Sequence, residues 1–144
     1  KTKQADVCLL AFPLRIITDK AQIKKDLEYY LQTVPKKKTP AMSKSVYSIL
    51  YARLGDRERA FYYFEDSYLP NLNPPFRVVA EFDGGTNPYF ITGAGGTLQT
   101  ILFGFGGLDI TDKGIIAGKG LLPSTWKSLM LKGIGKDKKT YLVK

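Results

Sequence analysis

Histidine is absent from this 144-residue chain, which removes a Ser-His-Asp triad and any histidine-based metal centre from its own chemistry. Hydrolytic chemistry must therefore rest on carboxylates. Cys8 is the only cysteine, so no intrachain disulfide can form and a structural zinc cluster is unsupported. No run approaches the roughly 18 apolar residues that a membrane span requires, and there is no N-glycosylation acceptor. The opening KTKQADVCLLAF has neither methionine nor a signal-like region leading to a cleavage site. Its helical periodicity starts within a few residues of the first position, and the expectation is a piece of something longer. The compartment stays open, with secreted, lysosomal and cytoplasmic settings all compatible.

What is present describes a folded chain: 44% hydrophobic, 24% charged, nine tyrosines and eight phenylalanines. The formal charge of +9 invites a nucleic-acid reading. Much of the excess, however, sits in two short runs, Lys36 to Lys38 and Lys136 to Lys139, with no basic-aromatic repeat between them. Ordinary solvated lysines account for it, so neither a nucleic-acid partner nor a membrane span is expected.

Apolar spacing predicts a buried helix over Ala5 to Leu14, with Pro13 as kink or terminator. Asp6 is either a buried hydrogen-bonding carboxylate or the polar side of the first turn. Thr18 reads as the N-cap of a second helix, with Ile23, Leu27, Tyr30 and Leu31 on one face. The PKKKTP run at Pro35 to Pro40 is a solvated connection, or else a place where a lysine attracts an anion. Ala41 to Leu54 is a third helix with a stripe of Met42, Val46, Ile49 and Leu50, stopped by Gly55. Asp56 caps a fourth over Arg57 to Tyr68, antiparallel to the third. Leu69 to Pro75, with three prolines and two asparagines, cannot continue that helix. Phe76 to Glu81 should be extended, and Asp83 to Pro88 should turn. The apolar stretch Leu98 to Phe105 reads as a helix introduced by Gly93, Gly95 and Gly96. Beyond it, Leu108 to Thr111, Ile115 to Ala117, Ser128 to Lys132 and Thr140 to Val143 alternate with glycine turns and predict an antiparallel sheet.

The stretch Phe76 to Gly107 is expected to form one side of a small-molecule pocket. TGAGG lacks the GxGxxG spacing and the Walker lysine. Amides at the start of Gly95 to Phe105 could bind a sugar hydroxyl or an anion, or the glycines could simply permit close packing. Glu81 follows an apolar extended segment that can hold its carboxylate at a pocket wall. Glycosidic cleavage needs one protonated carboxyl for the leaving oxygen and one carboxylate to activate water or attack carbon. Lys3 and Gln4 offer groups suited to sugar hydroxyls.

KQADV at Lys3 to Val7, PAMSKS at Pro40 to Ser45, LGD at Leu54 to Asp56 and ITGAGGTLQTILFGFGGL at Ile91 to Leu108 together resemble the C-terminal part of the family 65 glycoside hydrolases and phosphorylases. The resemblance covers nearly the whole chain. It implies a mainly α fold: the later helices of an (α/α)₆ catalytic barrel over residues 1–107, then a small antiparallel β domain over 108–144. By the same resemblance Lys3 and Gln4 contact the glucosyl unit. Glu81 then stands where hydrolytic members carry the water-activating carboxylate of an inverting reaction. The general acid lies upstream of KQADV in the family, so an upstream segment or a second chain must supply it. No cofactor and no metal are implied, and the partner is a glucoside or disaccharide. The isolated chain is expected to expose apolar barrel surface and to dissolve poorly.

Phosphorylases of the family present a histidine and a Ser-Ser-Leu-Ser motif to phosphate. KKKTPAMSKS has neither, and lysines do not reproduce fixed hydroxyl and amide donors. Hydrolysis is favoured on that ground. Lys44 stands where members commonly have tryptophan, and VVAE lacks a tryptophan often found before the glutamate. The alternatives are accordingly a degenerate carbohydrate-binding, storage or structural member and, behind it, a phosphate-dependent phosphorylase.

Overall fold

The structure is a computed structural model that describes residues 5–35 and 37–144. Five helices carry its core: α1 (Asp6–Ala11), α2 (Lys20–Thr33), α3 (Ala41–Leu54), α4 (Arg57–Asp66) and α5 (Ile91–Gln99), the last running on as a π-helical turn over Thr100–Phe105. Three two-stranded antiparallel hairpins accompany them, β1 (Leu72–Asn73) with β2 (Val78–Val79), β3 (Leu108–Thr111) with β4 (Gly114–Ala117), and β5 (Leu129–Ile134) with β6 (Lys139–Val143). This is a mainly α-helical bundle followed by small hairpins. The strands beyond Leu108 form two separate pairs rather than the continuous sheet expected from their spacing.

α3 is the axis of the bundle and packs against each of the other four helices. Its sequence allows this because serine and alanine occupy the positions between the large apolar residues. Ala41 and every residue from Ser43 to Ala52 are buried, well beyond the single stripe that periodicity suggests. Gly55 ends the helix at φ 87°, a left-handed conformation that glycine enters without a Cβ penalty. Asp56 then accepts a hydrogen bond from the Arg59 amide at 3.0 Å and starts α4.

The cap of α2 is Asp19, whose side chain accepts from the Gln22 amide at 2.8 Å. The expectation of Thr18 is corrected by one residue, since the carboxylate reaches the free amides of the first turn from the adjacent position. α1 is shorter than expected and ends before Phe12 and Pro13. Asp6 is exposed in its first turn, so its role is the polar side of that turn. α4 stops at Asp66, short of Tyr68.

α5 begins at Ile91, so Gly93, Gly95 and Gly96 lie inside it rather than before it. A Cβ at Gly93 would lie 2.7 Å from the Ala41 Cβ, and one at Gly96 would lie 2.9 Å from the Ser45 Oγ. The two glycines, three residues apart, share the face that meets α3. The Thr100 hydroxyl, buried, donates to the carbonyls of both Ser45 and Gly96. This ties α5 to α3 where the helix widens into its π turn.

Phe64 of α4, Phe105 at the end of the π turn and Trp126 form a mutual edge-to-face cluster with centroid separations of 5.2, 5.3 and 5.9 Å. Trp126 thereby fastens the segment between the last two hairpins onto the helices. Asp109 of β3 pairs with Arg15 at 3.2 Å and Arg53 at 3.5 Å, a second attachment.

Cys8 lies in the core, 2% exposed. Burial pushes its thiol up to about 12, and the neighbouring Asp26 charge adds to the effect. The thiolate is the reactive species. Iodoacetamide at pH 8 is therefore expected to leave Cys8 unmodified in the folded protein and to alkylate it after denaturation, a difference that intact-mass measurement reads directly.

Candidate functional site

Glu81 follows β2 through Ala80, which is fully buried and donates its amide to the Asn71 carbonyl at 2.8 Å. The Glu81 carbonyl accepts the Ala41 amide at 2.8 Å and the Asn71 Nδ2 at 3.4 Å. Ala41 opens α3, and its amide is one of those that a helix start leaves without an intrahelical partner. Glu81 thus satisfies the most buried helix of the molecule and is held by it in return.

On its other side, Glu81 is held by Asn87. The Glu81 amide donates to Asn87 Oδ1 at 3.4 Å, and Asn87 Nδ2 donates to Glu81 Oε2 at 3.3 Å. The Glu81 side chain forms no ion pair with any described lysine or arginine, and its Oε1 accepts no hydrogen bond from a described residue. Glu81 is half-buried. The Glu81 carboxylate is thus held at its backbone and at Oε2, with Oε1 open among the described residues.

Non-glycine residues in left-handed backbone flank this arrangement, Arg77 at φ 53° before it and Tyr89 at φ 59° after it. Such conformations cost about 1–3 kcal/mol each and persist where the surroundings over-determine them. Between them, the Gly85 amide closes a turn onto the Phe82 carbonyl, and Asn73 of β1 donates to the Gly85 carbonyl, both at 2.8 Å.

Lys3 and Gln4 lie outside the described residues, as does Lys36. The glycine amides expected to face a ligand are instead inside α5, with Gly93 and Ala94 already bonded to the Phe90 carbonyl. Gly93 and Gly96 serve packing against α3. Of two cavities that flank α3, neither is lined by Glu81 or by Gly93 to Gly96. The larger, about 580 Å³, opens beside Arg53, Gly55 and Asp109 at the far end of α3, roughly 20 Å from Ala41 at the helical rise per residue. The smaller, about 260 Å³, lies between α2, α3 and α4 and is lined by Thr39, Lys44, Tyr47, Asp66 and Asp83. Asp83 and Thr39 in its wall lie two residues from Glu81 and from Ala41 respectively.

Lys44 is 2% exposed, with its Nζ 3.1 Å from both the carboxylate and the carbonyl of Asp66. It neutralises the C-terminal end of α4 and joins α4 to α3. Deleting that charge while keeping the stem, Lys44→Met, is expected to cost about 1.5–3 kcal/mol and to lower the unfolding midpoint of the assembled protein in urea. An unchanged midpoint would count against this role.

Sequence reading found Glu81 but missed its holders, Asn71, Asn87 and the Ala41 amide. The asparagines sit in turn-rich stretches where that residue type is ordinary, and only the fold brings them to one glutamate. Asn71 is fully buried with an Oδ1 that has no partner among the described residues. Among the described residues there is no cluster of three or more metal-ligating side chains, and no helix is long and apolar enough to cross a membrane.

Residues 1–77 match the model of the glycosyl hydrolase family 65 central catalytic domain. The chain is 60% identical over 142 residues to a kojibiose hydrolase of Mucilaginibacter mallensis, covering 99% of this chain and 21% of that protein. It is 36% identical over 135 residues to a protein-glucosylgalactosylhydroxylysine glucosidase of Danio rerio, covering 93% of this chain and 20% of the relative. It is also 30% identical over 131 residues to a kojibiose phosphorylase of Thermoanaerobacter brockii, covering 90% and 16%. The chain spans about a fifth of the length of the first two of these relatives.

Proposed function

This chain belongs to glycosyl hydrolase family 65, and we propose that it supplies the water-activating half of an inverting α-glucoside hydrolase. In this reading residues 1–107 are the later part of an (α/α)₆ barrel and residues 108–144 a small β-rich domain. The general acid comes from the upstream portion of the same precursor or from another chain. Kojibiose is the first substrate to test, from the name of the relative at 60% identity.

The observation that carries the proposal is the state of Glu81: one oxygen held by Asn87, the other open, no described cation paired with it, and its backbone clamped to α3. In the reaction, Oε1 takes a proton from water as the water oxygen bonds to the anomeric carbon. The glycosidic carbon–oxygen bond breaks, and the acid protonates the leaving oxygen. An α-glucoside gives β-glucose. The two carboxyl groups should stand about 6.5–9.5 Å apart to admit the water. Lys3 and Gln4 bind the glucosyl unit in this scheme, by the family resemblance.

Phosphorolysis requires no such base and instead requires donors for phosphate. At the start of α3, the Ala41 amide is taken by the Glu81 carbonyl, Ser45 Oγ donates back to the Ala41 carbonyl, and Ser43 is fully buried. These donors are engaged or turned inward, which supports hydrolysis. The open face of α5 supports the incomplete-barrel reading. Ile91 and Leu98 are 81% and 62% exposed on either side of Gly95, whose added Cβ would meet no described atom. In this proposal the rest of the barrel covers that stripe.

The test is to incubate the assembled protein with kojibiose, trehalose, maltose and glucosylgalactosyl-hydroxylysine, with and without phosphate, and to follow the released anomer by NMR. β-Glucose released without phosphate is expected. Glucose 1-phosphate as the product would replace the proposal with a phosphorylase, and binding without release would replace it with a degenerate carbohydrate-binding member.

A further inference from the structure

A general base needs its carboxylate aimed, and a glutamate on its flexible stem is not aimed by its backbone alone. We propose that Asn87 is the positioning residue for Glu81, and that residue 85 is glycine so that Asn87 can reach it. The inference rests on reading Glu81 as the water activator and goes beyond it by assigning which side chain directs the reacting oxygen.

Asn87 spans both ends of the same residue, with Oδ1 receiving the Glu81 amide and Nδ2 donating to the Glu81 carboxylate. Only one orientation of the amide group makes both bonds. The flipped form would set an N–H against an N–H and an oxygen against a carboxylate oxygen. The pair therefore fixes side chain relative to main chain within a single residue, which a bond to the carboxylate alone would not do. It occupies Oε2, so Oε1 is the oxygen left to take the proton from water.

The turn is shaped for this contact. A Cβ on residue 85 would stand 3.1 Å from Asn87 Oδ1 and 2.9 Å from the Phe82 carbonyl oxygen, closer than the turn accommodates without moving one of them. Asn73 ties that turn to β1 through the Gly85 carbonyl. Pro88 follows Asn87 and restricts its backbone toward the extended region. Each of these restricts the position from which the Asn87 amide group acts.

The experiment is a double-mutant cycle in the assembled enzyme. Asn87→Asp keeps the size of the side chain and the oxygen facing the Glu81 amide while replacing the donor to Oε2 by an acceptor. It is expected to lower kcat about 10- to 100-fold, the scale of a misplaced catalytic group, with KM nearly unchanged. Gly85→Ala is expected to lower kcat in the same direction without altering either partner. In a Glu81→Ala background supplied with azide as the nucleophile, Asn87→Asp is expected to cost nothing further, because residues acting as one unit are non-additive.

Asn87→Asp with wild-type kcat overturns the assignment while leaving Glu81 as the base. A full additional loss in the Glu81→Ala background also overturns it, by showing that Asn87 acts elsewhere. A Glu81→Ala variant with undiminished water-dependent activity removes the functional reading and the positioning role together. Alongside these variants, Asn87→Ala separates support of the loop from aim of the carboxylate. If it lowers Tm while Asn87→Asp leaves kcat intact, the role is structural and the proposal fails.

Discussion

Replacing Glu81 by glutamine in the assembled enzyme is expected to lower kcat for hydrolysis about 10²- to 10⁴-fold, the usual contribution of a positioned general base. The amide matches the carboxylate in size and can still meet Asn87, but it cannot take a proton from water. KM should change little, since Glu81 is assigned to the attacking water rather than to substrate binding. Glu81→Ala should be comparably slow and, unlike the glutamine variant, should leave room for a small anion. With azide present, a nitrogen of the anion attacks the anomeric carbon, the glycosidic bond breaks, and the general acid still protonates the leaving oxygen. No base is required, so the rate should recover and the product should be β-glucosyl azide. A variant that retains kcat, or an α-azide product, would exclude Glu81 as the base of an inverting reaction.

A single methyl group on α5 should reach the same site through α3. Gly93→Ala places a Cβ 2.7 Å from the Ala41 Cβ and 3.1 Å from the Phe90 ring. The Ala41 Cβ belongs to a fully buried helix start and has no flexible end that can turn away. Overpacking of this kind costs about 1–3 kcal/mol, against the roughly 1 kcal/mol of helix propensity that alanine recovers over glycine. The expected net result is a loss of up to about 2 kcal/mol, seen as an earlier urea midpoint. The more informative effect is on rate. Ala41 holds the Glu81 carbonyl at 2.8 Å, so a shift of α3 against α5 moves the proposed base, and small misplacements of that order can cost about 10²-fold. Wild-type kcat combined with wild-type stability would show that the contact between the helices yields freely.

Much of the local structure was readable because short-range chemistry decides it. The Gly55–Asp56 stop-and-cap couples a left-handed C-terminus to a side-chain N-cap within two residues, and α3 and the start of α4 follow as expected. The final hairpins alternate with glycine turns and appear close to their expected bounds. The family was readable too, through KQADV, PAMSKS and the glycine-rich run.

The errors have physical causes. Glycines usually punctuate, so the start of α5 was expected after Gly93 and Gly96. Their spacing also suits close packing, and the neighbour they pack against is visible only when α3 is in place. The local pattern around Trp126 carried no expectation at all, yet its ring joins Phe64 and Phe105 in one cluster. Lys44 stood out only as a departure from a common tryptophan, whereas its charge is met by the end of a helix 22 residues later in the chain.

By itself, then, the sequence determined the chemistry that is available: no histidine, one cysteine, and Glu81 in a family-like setting. It also determined most helix and hairpin positions, because caps, turns and periodicity act over a few residues. Only the tertiary structure decided how Glu81 is held. Asn71 lies 10 residues before it and Asn87 six after, while the Ala41 amide belongs to another element. Hydrogen bonds between such groups depend on where buried surfaces bring the chain together, and residue type at one position does not specify that.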